Sequence, residues 1–154
     1  MKWRYSMKVA VRFQSRGGNT KAVAEIIAKK VGVNAEKVEV TLDEYVDVLF
    51  VGGGVYMGKM DKSLYHFLGN LNVDKVGEIV CFSTTGSMGT TLKQIKQIAI
   101  KKGITINKNK LLIRMLLRGH SSLGLVGGKL TDKQICKIEK FTDNVIESMK
   151  KGGT

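Results

Sequence analysis

The sequence predicts an α/β fold built on a parallel sheet, and three observations carry that prediction. Short apolar runs recur along the chain, and amphipathic stretches of helical period separate them. Segments rich in glycine and hydroxyl side chains follow the apolar runs, in the order strand, turn, helix. Strands that are apolar almost throughout are covered on both faces, and helical connections supply the two covering layers. Right-handed crossovers then limit the topology.

The first strand is expected at Lys8 to Phe13 (KVAVRF), followed by a helix over Thr20 to Lys30 with Val23, Ile26 and Ile27 on one face. A short strand at Lys37 to Val40 comes next. Too few residues separate it from the third strand, Val46 to Val51 (VDVLFV), for a full crossover helix, so that helix is abbreviated or absent. Lys62 to Leu71 reads as a helix with the stripe Leu64, Phe67, Leu68 and Leu71, and Ile79 to Ser83 as the fourth strand. Thr91, with Gln94 three residues on, has the spacing of a capping box and opens a helix to about Lys102. Lys101-Lys102-Gly103 stops it, because cations suit the negative helix end and glycine permits the left-handed cap. Leu111 to Leu117 is the fifth strand. Thr131 and Gln134 repeat the capping box before a last helix, which carries Ile135, Ile138, Thr142, Val145 and Met149 on one side and Lys133, Lys137, Lys140, Asn144 and Lys151 opposite.

A length of 154 residues favours one domain, residues 1–154, with Met1 to Ser6 as a short extension. Apolar residues make up 43% and charged residues 25%, ordinary for a globular protein, and the absence of proline excludes a proline-rich linker. No apolar run approaches the roughly 20 residues of a membrane span. The start lacks the apolar core of a signal peptide, so a cytoplasmic protein is expected. Two cysteines without a C-x-x-C spacing argue against a disulfide framework; Cys81 reads as buried, and Cys136 falls off its helix stripe and reads as exposed. The charge is unusual, with 26 Lys and Arg against 13 acids and a net charge of +13. Such a balance suits anionic partners or a plain lysine-rich surface.

In an open parallel sheet, ligands bind at the carboxyl ends of the strands. After the first strand comes Gln14-Ser15-Arg16-Gly17-Gly18-Asn19-Thr20, leading straight into a helix. Hydroxyls, two glycines and a helix N-terminus make an anion site; the alternative is an ordinary turn capped by Asn19. The spacing fits neither a Walker loop nor G-x-G-x-x-G. After the third strand comes Gly52-Gly53-Gly54-Val55-Tyr56-Met57-Gly58, a loop in which Tyr56 or Met57 could offer contact surface to a ligand; the alternative is a flexible glycine turn with Tyr56 covering the core. After the fourth comes Ser83-Thr84-Thr85-Gly86-Ser87-Met88-Gly89, whose likeness to a hydrolase elbow fails because Thr85 stands where G-x-S-x-G needs its first glycine.

Ser15-Arg16-Gly17-Gly18-Asn19-Thr20 resembles the FMN-phosphate loop of flavodoxins, [ST]-x-[ST]-G-x-T, with Ser15, Gly18, Asn19 and Thr20 matching and Gly17 replacing a usual Ser or Thr. Gly54-Val55-Tyr56-Met57-Gly58 and Thr84-Thr85-Gly86-Ser87-Met88-Gly89 are similar to the family's two ring-flanking loops, without an aromatic in the second. The resemblance runs from Met7 to Lys150. It implies a flavodoxin-like three-layer sandwich with a five-stranded parallel sheet of order 2-1-3-4-5, in the short-chain form. It also implies noncovalent FMN as cofactor, electron transfer between redox partner proteins as function, and no catalytic residue or metal. Ser15, Gly17, Gly18, Asn19 and Thr20 would then hold the phosphate. The ring would lie between the Tyr56 and Met88 loops, with backbone groups of Gly58, Thr85 and Gly86 at its edge.

Members of the family are commonly acidic, and this chain is not. Arg16, Lys59, Lys62, Arg118 and His120 are expected toward the site, and Lys101, Lys102, Lys108 and Lys110 at the opposite end of the sheet as plain surface. A positive charge about 12 Å from the flavin at an effective dielectric of about 40 contributes roughly 0.7 kcal/mol, of order 30 mV, so a less reducing flavin is expected than in acidic members. A basic carrier would dock on an acidic patch of its partner. Two other functions are weighed: a small FMN-dependent quinone or protoporphyrinogen reductase on the same fold, with a pocket lined by His120 and the segment Gly119 to Lys129, and a non-catalytic basic binding module. Nothing in the sequence carries a nucleic-acid signature, and aromatic content is 6%. A phosphoacceptor receiver would need acids where Gln14 and Ser15 stand.

Overall fold

A computed structural model describes residues 7–85, 89–115 and 129–152. Strand β1 (Val9–Gln14) leads into helix α1 (Asn19–Val31), then β2 (Ala35–Lys37) and β3 (Val46–Tyr56). A two-residue strand, β4 (Lys59–Met60), folds back on the end of β3 and precedes α2 (Lys62–Gly69). After a 3-10 turn at Val73–Lys75 come β5 (Val76–Thr85), α3 (Thr90–Lys102), β6 (Thr105–Arg114) and α4 (Asp132–Gly152). The five principal strands are parallel in the order β2-β1-β3-β5-β6, which is the expected 2-1-3-4-5 once the small β4 is set aside.

Alternate side chains of each strand enter two separate cores. Val11, Phe13, Val48, Phe50, Val80 and Phe82 meet Val23 and Ile27 of α1 and Ile138, Phe141 and Val145 of α4. Leu49, Val51, Ile79 and Cys81 meet Leu64 and Leu68 of α2 and Ile95 and Ala99 of α3. The helices therefore form two layers with the sheet between them.

Several boundaries differ from expectation. The second strand lies at Ala35–Lys37 rather than Lys37 to Val40, because its register on β1 pairs Val11 with Ala35 and Phe13 with Lys37 and the chain then turns, Val40 donating to the carbonyl of Lys37. No helix joins β2 to β3. Arg12 of β1, only 6% exposed, takes over part of that role: its Nε donates to the carbonyl of Val40 at 2.8 Å and its second amino group to that of Thr41 at 3.2 Å. Burial lowers the Arg12 pKa from its ordinary value, and Glu36 and Asp43 act against that shift. A hollow of about 570 Å³ remains between Val38–Leu42 and α2.

The Gly52-Gly53-Gly54 segment is not a turn. It continues β3, pairing with Phe82, Ser83 and Thr84 of β5, while Gly52 and Gly53 also pair with Phe13 and Gln14 of β1. At Gly52 a Cβ would stand 2.3 Å from the Phe82 carbonyl oxygen, a close approach only glycine permits. The last strand begins at Thr105 rather than Leu111, since its first half (TINKNK) is a polar edge with no apolar run. An irregularity between Ile79 and Cys81 shifts its register. Leu116 and Leu117 lie outside the described residues. Lys110 pairs level with Cys81 in mid-strand, not at the far end of the sheet, whereas Lys102 does lie there, its Nζ donating to the carbonyl of Gly69 at the end of α2.

The two predicted capping boxes part company. At Thr131 the box forms in full: Gln134 N donates to Thr131 Oγ1 at 3.1 Å, and Thr131 N to Gln134 Oε1 at 2.9 Å. At Thr91 it does not, because α3 already begins at Thr90 with Gly89 as its cap. α1 likewise starts at Asn19 with Gly18, not Asn19, as cap. Among the described residues no helix is long and apolar enough to cross a membrane.

Candidate functional site

The carboxyl ends of β1, β3, β5 and β6 meet at one edge of the sheet, above the start of α1. A cavity of about 140 Å³ opens there. Ser15, Arg16, Gly17, Asn19 and Thr20 line it from the first loop, Gly54, Val55 and Tyr56 from β3, Thr84 and Thr85 from β5, and Met115 from the end of β6. Three segments singled out in the sequence thus converge on one space.

The first loop is shaped for an anion. Gly18 has φ 98°, which the absence of Cβ allows, and turns the chain into α1. No side chain caps α1 and no acid stands in its first turn, so the positive helix end faces the cavity. Ser15 Oγ closes the loop by accepting from Gly18 N at 3.0 Å. At the floor, the buried hydroxyls of Thr20 and Thr84 are 2.6 Å apart and join α1 to β5.

Tyr56 folds over this loop. Its hydroxyl accepts from Arg16 N at 3.1 Å and from Gln14 Nε2 at 3.2 Å, and Gln14 Oε1 in turn accepts from Gly54 N at 3.3 Å. The Arg16 guanidinium stacks 3.9 Å from the centre of the Tyr56 ring and pairs with Asp61 at 2.8 Å. Burial opposes ionisation of Asp61, yet hydrogen bonds from Ser63 and Arg16 outweigh it and hold that carboxyl below its ordinary value. Asp61 also caps α2 through Ser63 N. One cation expected to act on the site is therefore neutralised by its own neighbour.

Beyond Tyr56 the chain makes a two-residue turn, with positive φ at both Met57 (51°) and Gly58 (75°), between the paired Tyr56 and Lys59. Met57 is 100% exposed at the tip. Met57 and Gly58 do not line the cavity, and neither does Gly89, which is exposed at the start of α3. Gly86, Ser87, Met88, Arg118 and His120 lie outside the described residues. Lys59 and Lys62 are exposed near the turn, as expected.

The residues that brace the turn were not legible as site residues. Thr91 Oγ1 donates to the carbonyl of Gly54 at 2.7 Å, and Gln94 Oε1 accepts from Met60 N at 3.1 Å. The pair with capping-box spacing thus holds the end of β3 and the start of β4 instead of its own helix. Asp61 also joins the site unforeseen, and so does Met115, because the strand expected to run to Leu117 ends at Arg114; Gln14, expected at the start of the first loop, joins through its side-chain amide. His66 lies exposed on α2 with its ring near Tyr65. Among the described residues no His, Cys, Asp and Glu cluster could hold a metal.

Comparison with known proteins agrees with this arrangement. No curated protein gives a significant match. Among solved structures, a flavodoxin from the domain Archaea superposes with a TM-score of 0.76 at 24% identity, covering 94% of this chain and 99% of that one. Oxidised flavodoxin 2 from Bacillus cereus gives 0.70 at 13% identity, covering 92% and 99%. A flavodiiron core from Synechocystis gives 0.71 at 17% identity over 97% of this chain and 37% of that one. These likenesses concern the fold; the family itself is identified by the profile described as flavodoxin domain, which matches residues 10–154 and so spans all five principal strands, every helix and the loops around the cavity: the chain belongs to the flavodoxin-domain family.

Proposed function

We propose that this protein binds FMN noncovalently and carries electrons between redox partner proteins. The observation that supports this reading best is the cavity where the uncapped N-terminus of α1 meets the ends of β3 and β5. The residues present fit the cofactor. Backbone N–H groups, the Ser15 and Thr20 hydroxyls and a helix dipole suit a phosphate dianion, with Gly17, Gly18 and Asn19 completing the cradle. Gly17 contributes no hydroxyl, so the phosphate is held more by backbone than by side chains.

Gly54 to Gly58 and Thr84 to Gly89 are the segments assigned to the ring. FMN supplies the one- and two-electron chemistry when bound. The chain's own part is to orient it: Thr91 and Gln94 anchor the β3–β4 turn on α3, and Arg16 and Asp61 tie that turn to the phosphate loop. A partner with an acidic surface suits the charge of +13. Two free thiols suit a reducing cytoplasmic setting.

Titration with FMN, followed by flavin fluorescence, tests the assignment. Quenching to a 1:1 end point is expected, with riboflavin binding more weakly because it lacks the phosphate. Absence of binding at high FMN would refute it, and equal affinity for riboflavin would refute the phosphate site.

A further inference from the structure

We propose that the outer face of α3 together with the edge strand β6 is the docking surface for an acidic partner protein. The inference deepens the electron-carrier reading and rests on it for its purpose.

The first observation is an asymmetry of charge. Residues 79–131 contain nine of the 26 Lys and Arg residues and none of the 13 acids. The fold gathers much of this stretch on one side. On α3, Lys93, Lys96 and Lys101 are exposed while Leu92, Ile95 and Ala99 face the core. On β6, Lys108, Lys110 and Arg114 are exposed. Lys110 pairs level with Cys81, and Leu112 packs in the same core as Cys81 and Ile95 of α3. Lys110 and Arg114, two residues to either side of Leu112, therefore stand on the α3 side of the sheet, beside the exposed lysines of that helix.

Acids border this face without entering it. Glu78 reaches the lower part of β6, where it accepts from Asn107 Nδ2, and Asp132 stands exposed at the start of α4. The four ion pairs among the described residues, from Lys8, Arg12, Arg16 and Lys30, all lie on other elements. The two helices of the other layer mix signs: α1 carries Glu25 among its lysines, and α4 carries Glu139, Asp143 and Glu147.

Three further features define the occupant. Ile100 is 61% exposed beside Lys96 and Lys101, an apolar contact ringed by cations, which suits a protein surface. Among the described residues the exposed aromatic side chains, Tyr45 and Tyr65, lie outside α3 and β6, so these two elements offer no ring on which a base would stack. Carbonyls of Leu112 and Arg114 accept from Lys137 Nζ and Gln134 Nε2 of α4, so this part of the edge is already engaged and recognition falls to side-chain charge rather than strand addition. The face also reaches the cavity: Arg114 pairs with Thr85, and Met115, next in the chain, donates to the Thr85 carbonyl and lines the cavity.

The test compares two triple variants with the same change in charge. Lys93→Glu/Lys96→Glu/Lys110→Glu alters the face; Lys21→Glu/Lys29→Glu/Lys140→Glu alters α1 and α4. Binding of an acidic [2Fe–2S] ferredoxin is measured at low ionic strength, with hydrogen exchange of α3 and β6, and duplex DNA serves as a second probe. We expect the wild type to bind the ferredoxin with protection of α3 and β6, the first variant to lose about tenfold or more in affinity, and the second to change by less than about threefold. Equal losses in both variants, no ferredoxin binding by the wild type, or tighter binding of DNA than of ferredoxin on the same face would overturn the proposal. FMN affinity is measured on the same proteins. Failure of the wild type to bind FMN would sink the electron-carrier reading, and failure of the docking pattern alone would sink only this surface.

Discussion

Tyr56→Phe removes one oxygen from the centre of the site and leaves the aromatic ring in place. That oxygen accepts two hydrogen bonds, from Arg16 N at 3.1 Å and Gln14 Nε2 at 3.2 Å. Arg16 is exposed, so water replaces its lost partner at small cost. Gln14 is 6% exposed, so its amide is left short of an acceptor in a buried position. A lost bond of this kind costs about 0.5–1.5 kcal/mol and a stranded buried donor about 1–3, which places the variant about 1.5 kcal/mol below the wild type. For a chain of this length that is a fall in Tm of roughly 3–6 °C. The cofactor site responds differently. The Arg16 N–H belongs to the phosphate loop, and without the hydroxyl it faces no competitor for a phosphate oxygen. The variant is therefore expected to be less stable without FMN and to bind FMN at least as tightly as the wild type. Thermal denaturation and flavin titration on the same preparation measure both. An unchanged Tm would show that the two bonds contribute nothing, and a tenfold loss of FMN affinity would show that the hydroxyl is itself a ligand.

Other perturbations separate site from scaffold. Thr20→Val and Thr84→Val should each cost about 1–3 kcal/mol by stranding the other's buried hydroxyl, whereas the double variant should recover much of the loss; purely additive costs in urea denaturation would count against the pair. Gly52→Ala would set a Cβ 2.3 Å from backbone and should abolish cooperative folding, whereas at Gly54 the atoms nearest the new Cβ belong to the Tyr56 side chain, 2.8 Å away, so Gly54→Ala should fold with Tyr56 displaced; circular dichroism melts distinguish the two. Asp61→Ala should cost about 1 kcal/mol through its lost cap and Asp61→Asn markedly less, a ranking that equal melting temperatures would contradict. Cys136 should react with a thiol reagent at once and Cys81 only on unfolding. Because the folded Cys81 pKa is raised to about 11, its contribution to stability is complete below the unfolded thiol's value and falls as pH rises through about 11. A Cys81→Ala variant with the same alkaline slope as the wild type would refute that assignment.

The layers of the fold were legible because they depend on local periodicity: Val23 and Ile27 on α1, or Ile138 and Val145 on α4, announce a buried face from spacing alone. The phosphate loop was legible for a similar reason, since strand, glycines and helix start are contiguous. What escaped depends on partners distant in sequence. Thr91 and Gln94 have the same spacing as Thr131 and Gln134, yet the partners that claim their side chains, Gly54 and Met60, are 37 and 34 residues away. Arg16 and Asp61 are 45 residues apart, and no local pattern links them. The three glycines of β3 suggest a turn by composition. They form a strand because β1 and β5 pair with them, and they are glycines where Phe82, Gln14 and Tyr56 leave no room for a Cβ. The first half of β6 escaped because an edge strand needs no apolar run.

The Arg12 guanidinium also changes how one corner of the molecule comes apart. A crossover helix frays from its ends, one turn at a time, and exchanges its amides with graded protection. Residues 38–45 have no such ladder: Val38 N is held by the Phe13 carbonyl and the Asp43 carbonyl by Lys75 Nζ, and between them the carbonyls of Val40 and Thr41 share one buried side chain. Withdrawal of that side chain releases both of those carbonyls together, so the middle of this corner opens in one step, a latch rather than a zipper.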